Sequence, residues 1–582
     1  MGNQLFRTKD VSSILAEGHE EGHGGGGLKR VLTVRDLTFF GIAAILGAGS
    51  FSSLGGAVFN GGPGVVILFI ITAIACAFTA LCYSEFASRI PVAGSAYTYA
   101  YASFGELFAW IIGWALIMEY SIGNIYVAFS WSDYFTSFMN KVGLHIPAWL
   151  STSYAEAKDG IVAGTSNQEI LTAWNTAPLL GSFRFIIDLP ALIINILITY
   201  LVYRGIKESR NFSNVMVILK MVVVALVILV GGYLVFSNGL TSNWLPANDE
   251  GVHSFMPNGF SGVMAAVSGV FFAYIGFDAV SVLAEESKNP QRDLPRGMIY
   301  SLVVCTVVYI LLTLVLTGAS HYKNFDGVGD PLAFIFEEKN LNVAWMQVLV
   351  AVSAVVAMTS VLLVFQMGQP RIWMTMSRDG LLPPVFQKIH HTFKTPSFST
   401  IVTGLVVGIP ILFTDKTFVL DFTSIATLFA FVLVCGGVLL IPRKEKEAGK
   451  FTMPHFNGQY IFPLIILGAM LLLTIYAKNY WTNMFHFDFA DNKDYTEGKI
   501  SFMDAATPNI SLIIFWGLAL ILSALAYIKK YSLIPLMGLI TCLYLLTGMT
   551  KSNWAWFLSW LVLGLIIYFI YGFRKSKLAA QQ

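Results

Sequence analysis

The stretch Gly41-Ile-Ala-Ala-Ile-Leu-Gly-Ala-Gly-Ser-Phe-Ser-Ser-Leu-Gly-Gly56 sets Gly47 and Gly49, with the hydroxyls of Ser50, Ser52 and Ser53, inside the first long apolar segment. Each glycine costs a helix roughly 1 kcal/mol. Lipid tolerates broken backbone only where it is buried in protein or lines a wet cavity. The spacing predicts a helix broken at residues 47–49 that offers peptide groups to a small polar ligand. Free N–H groups at the start of the outer half suit a carboxylate. Free C=O groups at the end of the inner half suit an ammonium. A second interruption falls at Gly276 and Asp278 of Val270-Phe-Phe-Ala-Tyr-Ile-Gly-Phe-Asp-Ala279. Two such helices crossing predict an α-amino acid as ligand. Gly47, Ala48, Gly49 and Ser50 would meet its carboxylate, and the carbonyls of Ile45, Phe272, Ala273 and Ile275 its amine. The competing reading is that the glycines only let helices pack closely.

Three charged residues lie deep in apolar sequence. Lys220, in Val215-Met-Val-Ile-Leu-Lys-Met-Val-Val-Val224, is flanked by apolar residues on both sides. A charge at membrane depth costs a few kcal/mol or more. It either snorkels to the cytoplasmic face or is buried against carbonyls, where it could carry a proton or replace a bound Na⁺. Glu119 and Asp278 are acidic candidates for pairing with Lys220 or accepting the proton, though Asp278 could equally cap a half-helix. Thr359 and Ser360 offer hydroxyls of the kind that coordinate an ion, although buried Ser and Thr usually bond their own helix. Met358 is a bulky candidate for a pocket floor, with plain core packing as the alternative. Phe272 is a candidate lid. Glu85, Arg89, Glu285, Glu286, Arg292 and Asp293 are candidates for gate ion pairs near the inner face.

The elements that must position these groups are membrane helices. Of 582 residues 56% are apolar and 12% charged, with mean hydropathy +0.67. Soluble proteins carry about 25% charged residues. Apolar segments follow at roughly 37–59, 64–88, 105–134, 185–205, 213–236, 260–285, 296–319, 342–377, 398–414, 420–441, 459–478, 510–528, 531–549 and 553–573, each near the length that crosses a bilayer. Of 36 lysines and arginines, 25 fall on the side of the N-terminus and 10 on the other, so both termini are expected in the cytoplasm. Residues 1–36 have no apolar core of a cleavable signal. They read as a tail, with a short amphipathic helix at 11–17 and a Gly-rich linker whose spacing fits no phosphate loop. Net charge is +2, which points away from nucleic acid. The five cysteines show neither metal-site nor disulfide spacing. His486 and Asp491 match an HxxxxD acyltransferase pattern by coincidence, outside the membrane and without a second motif. No metal site, cofactor or catalytic group is expected.

The two interrupted segments lie five apart and so cross in opposite senses, the sequence mark of a transporter built from inverted repeats. Residues 37–236 and 260–442 would be the repeats of a ten-helix core. Residues 443–573 would add four peripheral helices, and 574–582 a cytoplasmic tail.

The chain resembles the cationic amino acid transporter family of the amino acid–polyamine–organocation superfamily, particularly its bacterial members. The likeness is carried by Gly41-Ile-Ala-Ala-Ile-Leu-Gly-Ala-Gly-Ser-Phe51, Ile90-Pro-Val-Ala-Gly-Ser-Ala-Tyr-Thr-Tyr-Ala-Tyr101, Trp110-Ile-Ile-Gly-Trp114 and Phe271-Phe-Ala-Tyr-Ile-Gly-Phe-Asp-Ala-Val280. It continues through Glu285-Glu-Ser-Lys-Asn-Pro-Gln-Arg-Asp-Leu-Pro295, Gly368-Gln-Pro-Arg371, Ser377-Arg-Asp-Gly-Leu-Leu382 and Phe429-Ala-Phe-Val-Leu-Val-Cys435. It covers about residues 28–460. The resemblance implies the leucine-transporter fold, a 5+5 inverted repeat plus four helices, and secondary amino acid transport. It implies unwound sites at 45–50 and 272–275, with Phe272 as gate. It also implies that Lys220 stands where sodium-driven relatives hold Na⁺, hence proton coupling, with Glu119 and Asp278 on acidic family positions. The usual Ile-Phe-Val after the Gly-x-Gly is here Ser50-Phe51-Ser52, followed by Ser53, which adds hydroxyls near the ligand. Met358 would shorten a pocket meant for arginine.

The expectation is an all-α polytopic protein of about fourteen transmembrane helices in the plasma membrane, the inner membrane of a bacterium. Its partners would be an amino acid, a proton and the lipid bilayer. It would be a proton-coupled carrier working by alternating access. The alternatives are an amino acid exchanger and a carrier of cationic amino acids or polyamines in the same fold. A channel would need a continuous polar lining, and a membrane enzyme a metal or nucleophile cluster.

Overall fold

The computed structural model describes residues 7–9, 32–47, 49–90, 95–162, 164, 167–181, 183–205, 210–248, 251–281, 287–393, 395–441, 450–477, 479–489 and 501–580. The helix proposed at 11–17, Ala48, Glu285, Glu286 and Asp491 lie outside those residues.

The first crossing is interrupted. Helix α1 (Val34–Ile45) starts where the Asp36 carboxylate accepts from the N–H and hydroxyl of Thr33, at 2.9 and 2.7 Å. It stops at Ile45 and resumes as a π-turn (Gly49–Ser53) running into α2 (Leu54–Gly61). Gly62, at φ +59°, and Pro63 reverse the chain into α3 (Val65–Arg89). Only glycine takes that backbone geometry without strain.

Helix α4 (Ser95–Ser103) leads into α5 (Glu106–Lys141), which is seven residues longer at its outer end than the apolar run suggests and is buried nearly throughout. A helix apolar all round belongs in the middle of a bundle. Outside the membrane, α6 (Tyr154–Val162), α7 (Gln168–Thr176) and a hairpin of β1 (Leu179–Leu180) with β2 (Phe183–Arg184) make a small cap. Helices α8 (Leu189–Arg204) and α9 (Arg210–Ser237) complete the first half.

The sixth apolar segment is broken more than once. Helix α10 (Gly259–Ala265) kinks into α11 (Val267–Phe272), which gives way to turns from Ala273 and a 3₁₀ stretch over 278–281. Then come α12 (Pro290–Ala319), the short outer α13 (Pro331–Phe334), α14 (Ala344–Arg378), α15 (Ser397–Ile411) and α16 (Lys416–Leu440). The last third holds α17 (Gly458–Tyr476), α18 (Tyr480–Phe485), α19 (Phe502–Lys529), α20 (Leu533–Leu546) and α21 (Lys551–Ile567).

Among the described residues nine helical stretches are long and apolar enough to cross a membrane. Val34–Arg89 counts there as one stretch, and three shorter apolar helices are α8, α15 and α20. Exposed Leu and Ile residues such as Leu197, Leu229, Leu464 and Ile521 sit on α8, α9, α17 and α19, where hydrocarbon rather than water is their solvent.

The last helices are not uniformly peripheral. Helices α17, α19 and α20 share a satellite cluster around Phe462, Phe515 and Leu536. Helix α21 is keyed into the core. Trp110 and Trp114 donate to the carbonyls of Gly564 and Trp560 at 2.9 and 2.8 Å, and Trp114 stacks on Trp560 at 4.6 Å. Residues 576 and 577, past α21, also touch the core. The Ser576 hydroxyl bonds the buried Glu106 carboxylate, and Lys577 N–H donates to the Asp379 carbonyl at 3.1 Å.

Candidate functional site

The two breaks face each other. A Cβ built on Gly49 would lie 2.5 Å from Ala273 Cα, and one on Gly47 would lie 2.7 Å from Val361 Cγ2. No side chain fits at either position. Gly276 takes φ +113° with Ala44 3.0 Å from where its Cβ would be. Close packing and a broken helix are therefore one feature here, because the glycines bring two unwound segments into contact.

The break is braced by side chains. The Ser50 hydroxyl donates to the Gly47 carbonyl at 3.0 Å, which also receives the N–H groups of Ser50 and Phe51. The Ser53 hydroxyl lies 2.7 Å from the Gly49 carbonyl and 2.9 Å from that of Gly269 on α11. Ser52 donates to the Gly329 carbonyl of the outer loop at 2.9 Å. None of these three serines lines the cavity described below. The hydroxyls expected beside the ligand hold the backbone of the break instead.

Tyr309 on α12 bridges the two breaks and escaped the sequence reading. Its hydroxyl lies 2.9 Å from the Ile45 carbonyl and 2.6 Å from the Ala273 carbonyl. A hydroxyl carries one proton, so it serves the two acceptors in turn. Those are two of the carbonyls expected to meet an ammonium. No local pattern marks a tyrosine in an apolar helix as bridging segments 36 and 264 residues away.

A small cavity lies beside the breaks. Ala44, Ile45 and Gly49 line it from the first break, and Phe272 and Ile275 from the second. Val127 of α5 and Val361 and Phe365 of α14 form its far wall. It is tight in this conformation, with room for about one water molecule, so a bound amino acid would have to widen it. Met358 is fully buried but does not line it; Val361, one turn on, takes that place.

Phe272 stacks edge-on against Tyr126 at 4.5 Å. Outward of Tyr126 lies the Lys416 ammonium, 5.7 Å from the ring, which is ion-paired to Asp133 and 3.4 Å from the Gly329 carbonyl. Ring, ring and ion pair thus stack from the cavity to the outer cap, where Ser52 also ends. On the inner side the Glu85–Arg89 ion pair forms at 2.6 Å, and Glu85 accepts from Met453 N–H at 2.7 Å. Arg292 and Asp293 approach at 3.7 Å.

Lys220 is buried and does not snorkel to the face. Its ammonium points to the Ala43 carbonyl, at 3.5 Å, two residues before the end of α1. Glu119 and Asp278, both buried, lie within electrostatic reach of each other. Thr359 and Ser360 bond back to Val355 and Ala357 of their own helix, both at 2.7 Å, and Thr359 also accepts from Trp131 at 3.0 Å. Among the described residues no cluster of His, Cys, Asp and Glu could hold a metal.

Residues 32–487 match the amino acid permease family. The chain belongs to that family. It is a multi-pass membrane transporter of the amino acid–polyamine–organocation superfamily, not an enzyme. It is 40% identical to the branched-chain amino acid permease BcaP of Bacillus subtilis over 81% of this chain and 93% of that one. It is 38% identical to the methylthioribose transporter of the same organism, over 81% and 92%. Vacuolar cationic amino acid transporter 2 of Arabidopsis thaliana is 30% identical over 99% of this chain and 93% of its own.

Proposed function

We propose that this permease is a proton-coupled carrier of neutral L-amino acids with apolar side chains. The observation that carries the reading is the cavity. Residues of the two breaks, Ala44, Ile45, Gly49, Phe272 and Ile275, line one side of it and Val127, Val361 and Phe365 the other, so every side chain around it is apolar. The carboxylate would sit at Gly47, Ala48, Gly49 and Ser50, taking the place of the bonds by which the Gly47 and Ser50 N–H groups hold the Ile45 and Gly47 carbonyls. The amine would take the carbonyls of Ile45, Phe272, Ala273 and Ile275, displacing the Tyr309 hydroxyl from two of them. A cationic side chain would find no acidic residue in that wall. The likeness to a branched-chain amino acid permease supports the same choice.

Lys220 sits beside the end of α1, so loss of its proton changes the charge next to the amine site. Glu119 and Asp278 are the proposed proton acceptors. The carrier would work by alternating access, with Phe272 closing the outer side. Counting the arms before and after Gly62 separately, the broken sixth segment and the three short helices gives fourteen crossings, with residues 37–236 and 260–442 as inverted repeats. Both ends would face the cytoplasm across a bacterial inner membrane.

The test is thermal stabilisation of the purified protein by a panel of ligands, because anything that binds the folded state raises its melting temperature. Leucine, isoleucine and valine should stabilise it, and arginine and lysine should not. Methylthioribose belongs in the panel because a relative carries it. It has neither ammonium nor carboxylate, so stabilisation by it alone would refute the amino acid reading. Uptake that needs an opposing amino acid and ignores a pH gradient would make the protein an exchanger.

A further inference from the structure

We propose that Gly123 is a positioning residue that sets the largest side chain this transporter accepts, by leaving room for the Phe365 ring. The inference rests on the cavity being the compartment for the substrate side chain. Phe365 forms part of the cavity wall and is 7% exposed. A Cβ on Gly123 would lie 3.1 Å from Phe365 Cε2 and 3.5 Å from Cδ2. Such a contact forces one partner to move by a few tenths of an ångström.

The ring is blocked toward Tyr120 and across the helix interface, and it borders the cavity. Tyr120, one turn earlier on α5, meets it edge-on at 5.6 Å. Tyr120 cannot retreat, because it lies against the backbone of α14 at Gly368, where a Cβ would stand 2.6 Å from Tyr120 Cε1. Nor can the helices spread easily. Asn124 donates to Gln366 at 2.7 Å and Gln369 to Ser121 at 2.6 Å, so each residue beside the contact is tied across the same interface. Gln366 is tied again to Thr199 of α8 at 2.8 Å. The spacing fits one contact face on each helix. Tyr120, Gly123 and Val127 are at i, i+3 and i+7, and Val361, Phe365 and Gly368 at i, i+4 and i+7. The remaining free space for the ring is the cavity, so a methyl at 123 shortens the compartment from behind.

The test compares wild type, Gly123→Ala, Phe365→Leu and the double variant in proteoliposomes, by competition among glycine, alanine, valine, leucine, isoleucine, methionine and phenylalanine. Gly123→Ala should keep glycine and alanine within about twofold and lose leucine by about tenfold or more, a difference of ~1.4 kcal/mol. Adding Phe365→Leu should restore leucine, because the smaller side chain yields the space. Equal loss for every substrate with a lowered melting temperature would make Gly123 a purely structural glycine and overturn the inference. So would an unchanged preference order, or a double variant that regains nothing. Wild-type protein that binds none of the seven would refute the proposed function itself, and the inference with it.

Discussion

Tyr309→Phe tests whether the two breaks form one site. The ring packs against Phe69 at 5.3 Å and edge-on against Tyr274 at 5.5 Å, and phenylalanine keeps both contacts. What is lost is one proton shared between two buried carbonyls, those of Ile45 and Ala273. Leaving a buried acceptor without its donor costs about 1–3 kcal/mol. The penalty falls on the ligand-free protein alone, because a bound ammonium takes the place of the hydroxyl on both carbonyls. At ~1.4 kcal/mol per factor of ten, amino acid affinity should rise about 5- to 150-fold while the ligand-free protein melts lower. Calorimetric titration in detergent measures it, with the melting temperature of ligand-free protein recorded alongside. Affinity within about twofold of wild type would refute the reasoning. A lower melting temperature with unchanged affinity would assign the hydroxyl to the fold alone.

Lys220→Ala should abolish the response of uptake to an imposed pH gradient while exchange across equal pH persists; unchanged gradient-driven uptake removes Lys220 from proton coupling. Gly49→Ala forces a Cβ to 2.5 Å from Ala273 Cα, so it should cost about 1–3 kcal/mol and binding together. Gly56→Ala, with nothing within 4 Å, should be neutral or raise the melting temperature; equal effects of the two would contradict the close approach. In the outer cap, burial pushes the Asp330 carboxyl up to about 7 and that of Glu156 up to about 8. The unfolded chain loses those protons near pH 4, so the folded state holds more protons between about pH 4 and 8, and stability falls as pH rises. The melting temperature should drop from about pH 5 to 8, and Asp330→Asn should flatten part of that slope; an identical slope in the variant would exclude Asp330.

Much of the architecture could be read from the chain. Apolar length marks the helices because a bilayer needs about 20 residues per crossing. The Gly-x-Gly at 47–49 announces its break because no ordinary lipid-facing helix keeps one. Local pattern fails where a residue acts across the bundle. Asp133 and Lys416, far apart in sequence, meet only because α5 and α16 converge at the outer cap. Helix α5 outruns its apolar segment because the polar residues after 134 continue the helix to Lys141.

Composition and periodicity determined that this is a helical membrane protein, and the glycines determined that two of its apolar segments are interrupted. Both follow from local chemistry, namely hydrocarbon as solvent and glycine as helix breaker. Tertiary structure decided which side chains surround that backbone. It turned Ser50, Ser52 and Ser53 toward carbonyls, set Val361 rather than Met358 at the cavity, and brought Tyr309 between the breaks. The physical reason is that side-chain direction at a kinked helix depends on the register of its neighbours, and contacts between packed helices, not spacing along the chain, set that register.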